Sequence, residues 1–436
     1  VAIGASVGVS AHAQSLVDLY NAARSYDATY QSAKSQFDAT LAKAAQSKSL
    51  MLPTVGLSAS ASETNQDTQE PAVAAKNYTY DSQSITLAAS QPLYRPSNLA
   101  SYEQGKKQVD LADAQLLAAE QDLIVRVSQA YFDVLASTDS LEFVKRQKAA
   151  VAEQLASAKR NFEVGTSTIT DSREAQARYD LVIAQEIGAE NDLRIKALAL
   201  NQLVGKSDAA PRPMATPVAP TDLTGSDAEQ WVTQALAHNP GIKQLQVALE
   251  VARLETAKAE AGHKPTLDLT GSYTTALSQN TFVSGIAKAV DTRANVATVG
   301  VSFNLPLFAG FAVQNRVKET LALEDKARTD LDATSRSVSQ GTRTAYFGVQ
   351  SGMAQIKALE AAEASSQSAL DANKLGYQVG VRINIDVLNS QSQLYDTKAK
   401  LAKARYDVLV GGLKLRQAAG TLKAEDLQAI NSQLAP

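Results

Sequence analysis

Apolar and polar positions along this chain fall into two rhythms. Between residues 97 and 162 the larger apolar side chains stand at Val109, Leu116, Leu123, Val127, Ala130, Val134, Leu141, Val144, Val151, Leu155 and Phe162. Every step is three, four or seven residues, which keeps one stripe facing a neighbouring helix. No proline falls between Pro96 and Pro211. The pattern predicts one helix over 97–162 that, at 1.5 Å per residue, reaches roughly 100 Å. A second long helix is expected over about 312–376, opening after Pro306. Shorter helices are expected at 16–50, 171–205, 226–262 and 384–418. Two short helices end to end match one long one, so a wall of long helices beside stacked short ones follows.

The second rhythm has a period of two. It runs through 54–62 (Val55, Leu57, Ala59, Ala61), 84–90 (Ile85, Leu87, Ala89), 266–273 (Leu267, Leu269, Gly271, Tyr273) and 298–305 (Val299, Val301, Phe303, Leu305). The opposite faces are almost wholly Ser, Thr, Asn, Asp and Gly. Such alternation marks a membrane barrel strand around a wet lumen, and equally a half-buried soluble sheet. Helices far too long to pack over so small a sheet favour the barrel. Each strand pair is expected to enclose a polar loop, 63–81 and 274–295, with Pro53, Pro92, Pro265 and Pro306 at strand–helix junctions.

The chain repeats itself. "FEVGTSTITD" at 162–171 returns as "YQVGVRINID" at 377–386, "AYFDVLAS" returns as "AYFGVQSG", and "LPTVGLSAS" returns as "KPTLDLTGS". A near-constant offset across elements of different character means one duplicated unit. The expected organisation is a first repeat at 14–205, a Pro/Ala-rich linker at 206–225, a second repeat at 226–420 and a C-terminal segment at 421–436. Residues 1–13 read as the remnant of a secretory signal ending in Ala11-His12-Ala13.

Composition narrows the chemistry. With 42 Lys+Arg against 45 Asp+Glu, nothing points to a nucleic-acid partner. The absence of cysteine removes disulfides, thiolate metal sites, cysteine nucleophiles and a lipid anchor on an N-terminal cysteine. Three histidines leave little for zinc or triad chemistry, so no enzyme, no structural metal and no cofactor is expected. No apolar run reaches the ~18 residues of a spanning helix, so any membrane crossing must use strands. Four strands alone would expose open edges to hydrocarbon. Two copies of the chain would supply 8 strands, three 12 and four 16, and closure alone does not choose.

The two-fold repeat, together with "LPTVGLSAS", "VGTSTITD", "HKPTLDLTGSY", "VGVSFNLPLF" and "YQVGVRINIDVLNSQSQLYDTKAKLAKARYDVL", resembles the TolC outer-membrane factor family. The resemblance implies a mixed α and β membrane protein. It would be a homotrimer whose 12-strand barrel, four strands per chain, sits in the outer-membrane lipid of a Gram-negative bacterium and continues into a long α-helical barrel in the periplasm. It implies an exit duct for drug efflux or type I protein secretion, docked by a periplasmic adaptor and an inner-membrane pump or ABC transporter. Gly165 and Gly380 sit where a helix C-cap needs positive φ, at helical-tip turns that would meet the adaptor. The family's gate links map to Thr170, Asp171, Tyr377 and Arg382. Thr170, Asp171 and Asp386 are also plausible helix caps on their own, and the two roles are compatible. Asp386 matches an acidic ring at the entrance. Where a well-known member has a second aspartate three residues on, this chain has Asn389, which puts strong cation selectivity and metal block in doubt.

Other readings are a trimeric coiled-coil surface fibre or adhesin and a diffusion porin. The fibre needs unbroken heptads and a head, against two strand pairs and a Pro-rich midpoint. The porin has no use for helices of this length.

Overall fold

A computed structural model describes residues 13–70, 73–215, 227–281 and 290–435. The signal-peptide expectation thus lies outside the described residues but for Ala13, as does much of the expected linker. The elements run α1 (Leu16–Tyr26), α2 (Ala28–Ser49), β1 (Thr54–Glu70), β2 (Val73–Tyr94), α3 (Pro96–Glu163), α4 (Ile169–Val204), α5 (Ala228–His238), α6 (Pro240–Glu260), β3 (Thr266–Thr281), β4 (Val290–Asn304), α7 (Ala312–Gln378), α8 (Asn384–Ala418) and α9 (Asp426–Asn431). Their lengths pair across the repeat: 11 and 11 residues for α1 and α5, 68 and 67 for α3 and α7, 36 and 35 for α4 and α8.

Each expected helix over 16–50 and 226–262 is broken in two, and one polar side chain does the breaking. Asp27 ends α1, its N–H donating to the Ala23 carbonyl, while its Oδ1 accepts from the Tyr30 amide at 2.8 Å and so caps α2. Asn239 precedes Pro240, whose ring pushes it out of the helical region. Its Oδ1 accepts from the Gly241 amide at 2.9 Å, and its Nδ2 donates to the Ala418 carbonyl.

The chain divides into two compact units. One comprises the described parts of Phe37–Asp113 and Leu245–Leu331. It carries a single antiparallel sheet of order β1-β2-β3-β4, in which β2 of the first repeat pairs with β3 of the second. Among the described residues the outer edges of β1 and β4 have no neighbour. The register sets Leu57, Leu87, Tyr273 and Ala297 side by side, and next to them Val55, Ala89, Gly271 and Val299. That face is bare: Val55 is 69%, Leu57 73% and Val299 82% exposed. The opposite face carries hydroxyls that pair across strands, Ser60 with Ser84, Ser82 with Ser278 and Thr86 with Thr274.

The strands run well beyond the alternating segments, at 17, 22, 16 and 15 residues. Most of the two polar stretches expected as loops is therefore ladder. A segment wet on both faces loses the period-two signal while keeping its backbone pairing. Pro92 does not end its strand. It lies inside β2 at a register shift between Pro92 and Tyr94, where the missing N–H is tolerated. Arg95, just past the strand, donates from Nε and Nη2 to both carboxylate oxygens of the buried Asp268, at 2.7 and 2.6 Å.

The other unit comprises the described parts of Val1–Gln36, Ala114–Gln244 and Asp332–Pro436. Its main core gathers Leu16, Leu19, Tyr20, Leu123, Val127, Tyr131, Phe132, Leu200, Leu409, Leu413 and Leu427 from five helices. Of the expected α3 stripe, Leu123, Val127, Val134, Leu141, Val151 and Leu155 are buried, whereas Phe162 is exposed. Residues 206–215 are packed rather than free. The Gln14 N–H donates to the Ala210 carbonyl at 2.7 Å, the Arg212 N–H to the Gln14 carbonyl at 3.0 Å, and the buried Tyr131 hydroxyl to the Arg212 carbonyl at 2.7 Å.

One ion pair anchors the α1–α2 break. Arg126 donates from Nη1 and Nη2 to the buried Asp27 carboxylate at 3.0 Å each. These bonds hold the Asp27 carboxyl below the ordinary carboxylate range. A depressed folded-state pKa gives stability that is fully present above about pH 4 and fades as pH falls through that lower value. Asp27→Asn should therefore cost about 1–3 kcal/mol near neutral pH, with the gap to wild type closing in acid. Melting curves of both proteins near neutrality and near pH 3 check this; an unchanged gap refutes it.

Candidate functional site

The chain reverses direction twice between a long helix and a short one, and these turns bring the predicted residues together. After α3 the backbone turns at Gly165, φ +79°, and after α7 at Gly380, φ +80°. The first turn closes with Thr166 N–H donating to the Asn161 carbonyl at 2.8 Å and Gly165 N–H to Phe162 at 3.0 Å. The second repeats this with Val381 to Gly376 at 2.9 Å and Gly380 to Tyr377 at 3.2 Å. This is the left-handed cap that glycine adopts without a Cβ penalty. A Cβ at either glycine would touch nothing within 4 Å, so the backbone alone dictates the residue.

The two turns differ in how the next helix starts. In the first repeat Thr168 is the N-cap, its Oγ1 accepting from the Asp171 amide at 3.2 Å. The Asp171 carboxylate answers by accepting from the Thr168 amide at 3.0 Å and the Ser167 hydroxyl at 2.6 Å. This reciprocal capping box satisfies two helix-end donors. Led by the Ser167 hydroxyl, these donors hold the Asp171 carboxyl below its usual range. In the second repeat the N-cap position holds Ile383, which has no side-chain oxygen, and no cap bond forms. The Asp386 carboxylate is left available and lies 3.6 Å from Arg382 Nη1.

The structure thus sorts the predicted residues. Asp171 does cap, but as the third residue of a box whose cap is Thr168, not Thr170. Thr170 is exposed. Asp386 does not cap its own helix. Arg382, in the turn before α8, pairs with Asp386 in the first turn of that helix. The Tyr377 hydroxyl sits 3.5 Å from Asn161 Nδ2 as acceptor, and its ring packs against Leu370, Val387 and Leu394. Asn389 Oδ1 accepts from Arg178 Nη2 of α4 at 2.6 Å. A cleft of about 620 Å³ lies between the turns, lined among others by Gln154, Asn161, Asp171, Lys374, Tyr377 and Arg382.

One residue of this site escaped the sequence reading. Asn384, the first residue of α8, is fully buried, its Oδ1 accepting from Gln154 Nε2 at 2.5 Å and its Nδ2 donating to the Asp171 carbonyl at 3.2 Å. The usable signal was the repeat itself, since the offset of 215 sets Asn384 opposite Ile169. Among the described residues no group of three His, Cys, Asp or Glu side chains is placed to hold a metal, and no helix is long and apolar enough to cross a membrane.

Comparison with known proteins places this geometry. The family model for Outer membrane efflux protein matches residues 19–206 and 231–421. Outer membrane protein TolC of Vibrio cholerae is 34% identical over 422 residues, covering 97% of this chain and 94% of that protein. Alkaline protease secretion protein AprF of Pseudomonas aeruginosa is 31% identical over 430 residues, covering 96% of this chain and 87% of that protein. Among solved structures, the outer membrane protein VceC of Vibrio cholerae superposes with a TM-score of 0.77 at 20% identity, over 93% of this chain and 96% of that one. The Campylobacter jejuni CmeC outer membrane channel gives 0.79 at 17% identity, over 96% and 90%.

The capping difference is testable by exchange. Thr168→Val should loosen the start of α4 by about 1 kcal/mol. Ile383→Thr should tighten the start of α8 by a similar amount, because Asp386 gains a box partner. Amide hydrogen exchange in the first turns of the two helices reads both effects, in opposite directions; equal rates in wild type and both variants refute the assignment.

Proposed function

The chain belongs to the outer membrane efflux protein family, and from that premise we propose how its residues build and close a duct. Members of this family are channel proteins, and this one is an outer-membrane exit duct of the efflux and secretion class. The observation that carries the proposal is the open four-strand sheet, bare and apolar on one face and hydroxyl-lined on the other. Three copies close it into a 12-strand barrel, edge β1 of one chain against β4 of the next, with the bare face toward lipid. The remaining strand length stands above the bilayer, since about 9–11 tilted residues suffice to cross it. The stripe of Leu181, Ile187, Ile195 and Leu198 on α4, exposed in the single chain, is then covered by a neighbouring copy. The long helices α3 and α7 and the shorter helices of both repeats supply four helical columns, a third of a periplasmic tunnel.

The helical turns form the periplasmic entrance. Thr170, Asp171, Tyr377 and Arg382 hold it shut through polar links, each weak at a surface, about 1 kcal/mol or less, and repeated in every copy. Val164, Val379 and Val381 project from the turns at Gly165 and Gly380, all exposed. They offer apolar tips to a periplasmic adaptor that couples the duct to an inner-membrane pump. Asp386 supplies the acid of the entrance, and Arg382 beside it offsets part of that charge. With Asn389 neutral and engaged by Arg178, the entrance binds multivalent cations weakly.

Two experiments test this. Single cysteines placed on the outer edges of β1 and β4 in this cysteine-free chain should cross-link detergent-solubilised protein into a closed ring of three, and the protein should conduct in planar bilayers. A stable, water-soluble, uncross-linked monomer with its sheet intact sinks the proposal. Asn389→Asp should strengthen block by a trivalent cation about tenfold or more, because a second carboxylate per copy joins the entrance. Conductance titration measures it, and equal block in both proteins refutes the charge assignment.

A further inference from the structure

Burial is inverted between corresponding positions of the two repeats. Ile169 opens α4 and is 49% exposed, whereas Asn384 opens α8 and is 0% exposed. An apolar residue outside and a polar one inside is the reverse of what transfer free energies favour. Asn384 is nonetheless fully engaged. Its amide spans three elements, receiving from Gln154 on α3 and donating to the Asp171 carbonyl on α4, while its own backbone starts α8. The orientation is fixed, because a carbonyl oxygen only accepts and the Nδ2 side must therefore face Asp171. Since Ile383 provides no cap, these two bonds are the polar anchors at the first residue of α8.

We propose that Asn384 is an internal latch of the periplasmic entrance, a positioning residue that ties the second repeat's turn to the first repeat within one chain. The inference rests on the duct reading above and adds to it a link other than the Thr170, Asp171, Tyr377 and Arg382 set. Swinging α8 away from α3 and α4 breaks both bonds and exchanges them for bonds to water, a net loss for each. The latch therefore favours the closed entrance. The bonds carry no net charge, so they resist salt in a way that surface ion pairs do not.

The residue can be changed without emptying the site. Asn384→Leu keeps the volume but removes donor and acceptor, while half-buried Gln154 can turn to water. Asn384→Asp keeps the acceptor yet, when ionised, cannot donate to the Asp171 carbonyl and repels it. Once protonated, it donates again. Burial raises a carboxyl pKa, so this variant titrates above the ordinary carboxylate range. The charged and titratable groups around the cleft are Asp171 on α4, Lys374 and Tyr377 on α7, and Arg382 in the turn, with Asp386 on α8 beside it. All are present in wild type, which is the control at each pH.

The test is single-channel conductance of the full-length protein in planar bilayers, after circular dichroism and cross-linking establish that each variant assembles. Asn384→Leu should raise the ratio of open to closed time about fivefold or more at every pH, the factor expected from losing one net hydrogen bond. Asn384→Asp should match that leak near pH 8 and return toward wild type near pH 5. A folded Asn384→Leu protein gating like wild type overturns the latch. So does an Asn384→Asp protein whose ratio to wild type is the same at both pH values, which would mean the site is merely packed. If wild type itself forms no conducting pore, the duct reading falls and the latch falls with it, an outcome separate from the other two.

Discussion

Hydrocarbon offers a peptide group nothing to bond to, and that constraint governs this molecule. The outer edges of β1 and β4 each present a row of N–H and C=O groups, costing several kcal/mol apiece if left to lipid. A single chain cannot satisfy them, since its sheet ends after four strands. Sister chains can, and in the proposed assembly the same copies would cover the apolar stripe on α4. Assembly is therefore a condition of the fold in its membrane rather than an addition to it. Duplication supports this, because a repeated hairpin lets β2 and β3 pair across the two halves and doubles the strands each copy brings.

The repeat is close in length but not in chemistry at the two helical turns. In the first turn Asp171 serves its own helix, tied into a box by Ser167 and Thr168. In the second, replacement of that threonine by Ile383 releases the matching carboxylate of Asp386 to Arg382. One half is closed by local bonds, the other by bonds to its neighbours. A helix start that depends on its surroundings moves when they move, whereas a self-capped one stays put.

Much of this was visible in the residues before any coordinates. Steps of three, four and seven marked α3 because a helix of that length repeats its buried stripe many times over, and the repeat carried the expectation to α7. The glycines at 165 and 380 announced their turns because only a missing Cβ makes positive φ inexpensive. Strand length was not visible. Where both faces are wet, residues such as Thr64, Asn65 and Thr79 read as loop even though their backbones pair. The breaks at Asp27 and Asn239 were missed for a related reason: each is one polar residue inside an otherwise unbroken helical pattern, although Asn239-Pro240 carried a readable stop signal. Asn384 was passed over because burial of a polar residue depends on three elements far apart in sequence, and only its mismatch with Ile169 across the repeat pointed to it.

The hydroxyl rows on the inner sheet face carry one further consequence. Serine and threonine can each donate or accept by turning a single torsion, and Ser60 with Ser84, or Thr86 with Thr274, can exchange those roles in place. In the proposed barrel a lumen surfaced this way would show solutes dipoles of adjustable sign, and Asp268, an acid on the same face, is already held by Arg95. Such a lining would sort solutes little by charge, which leaves discrimination to steps upstream of the barrel.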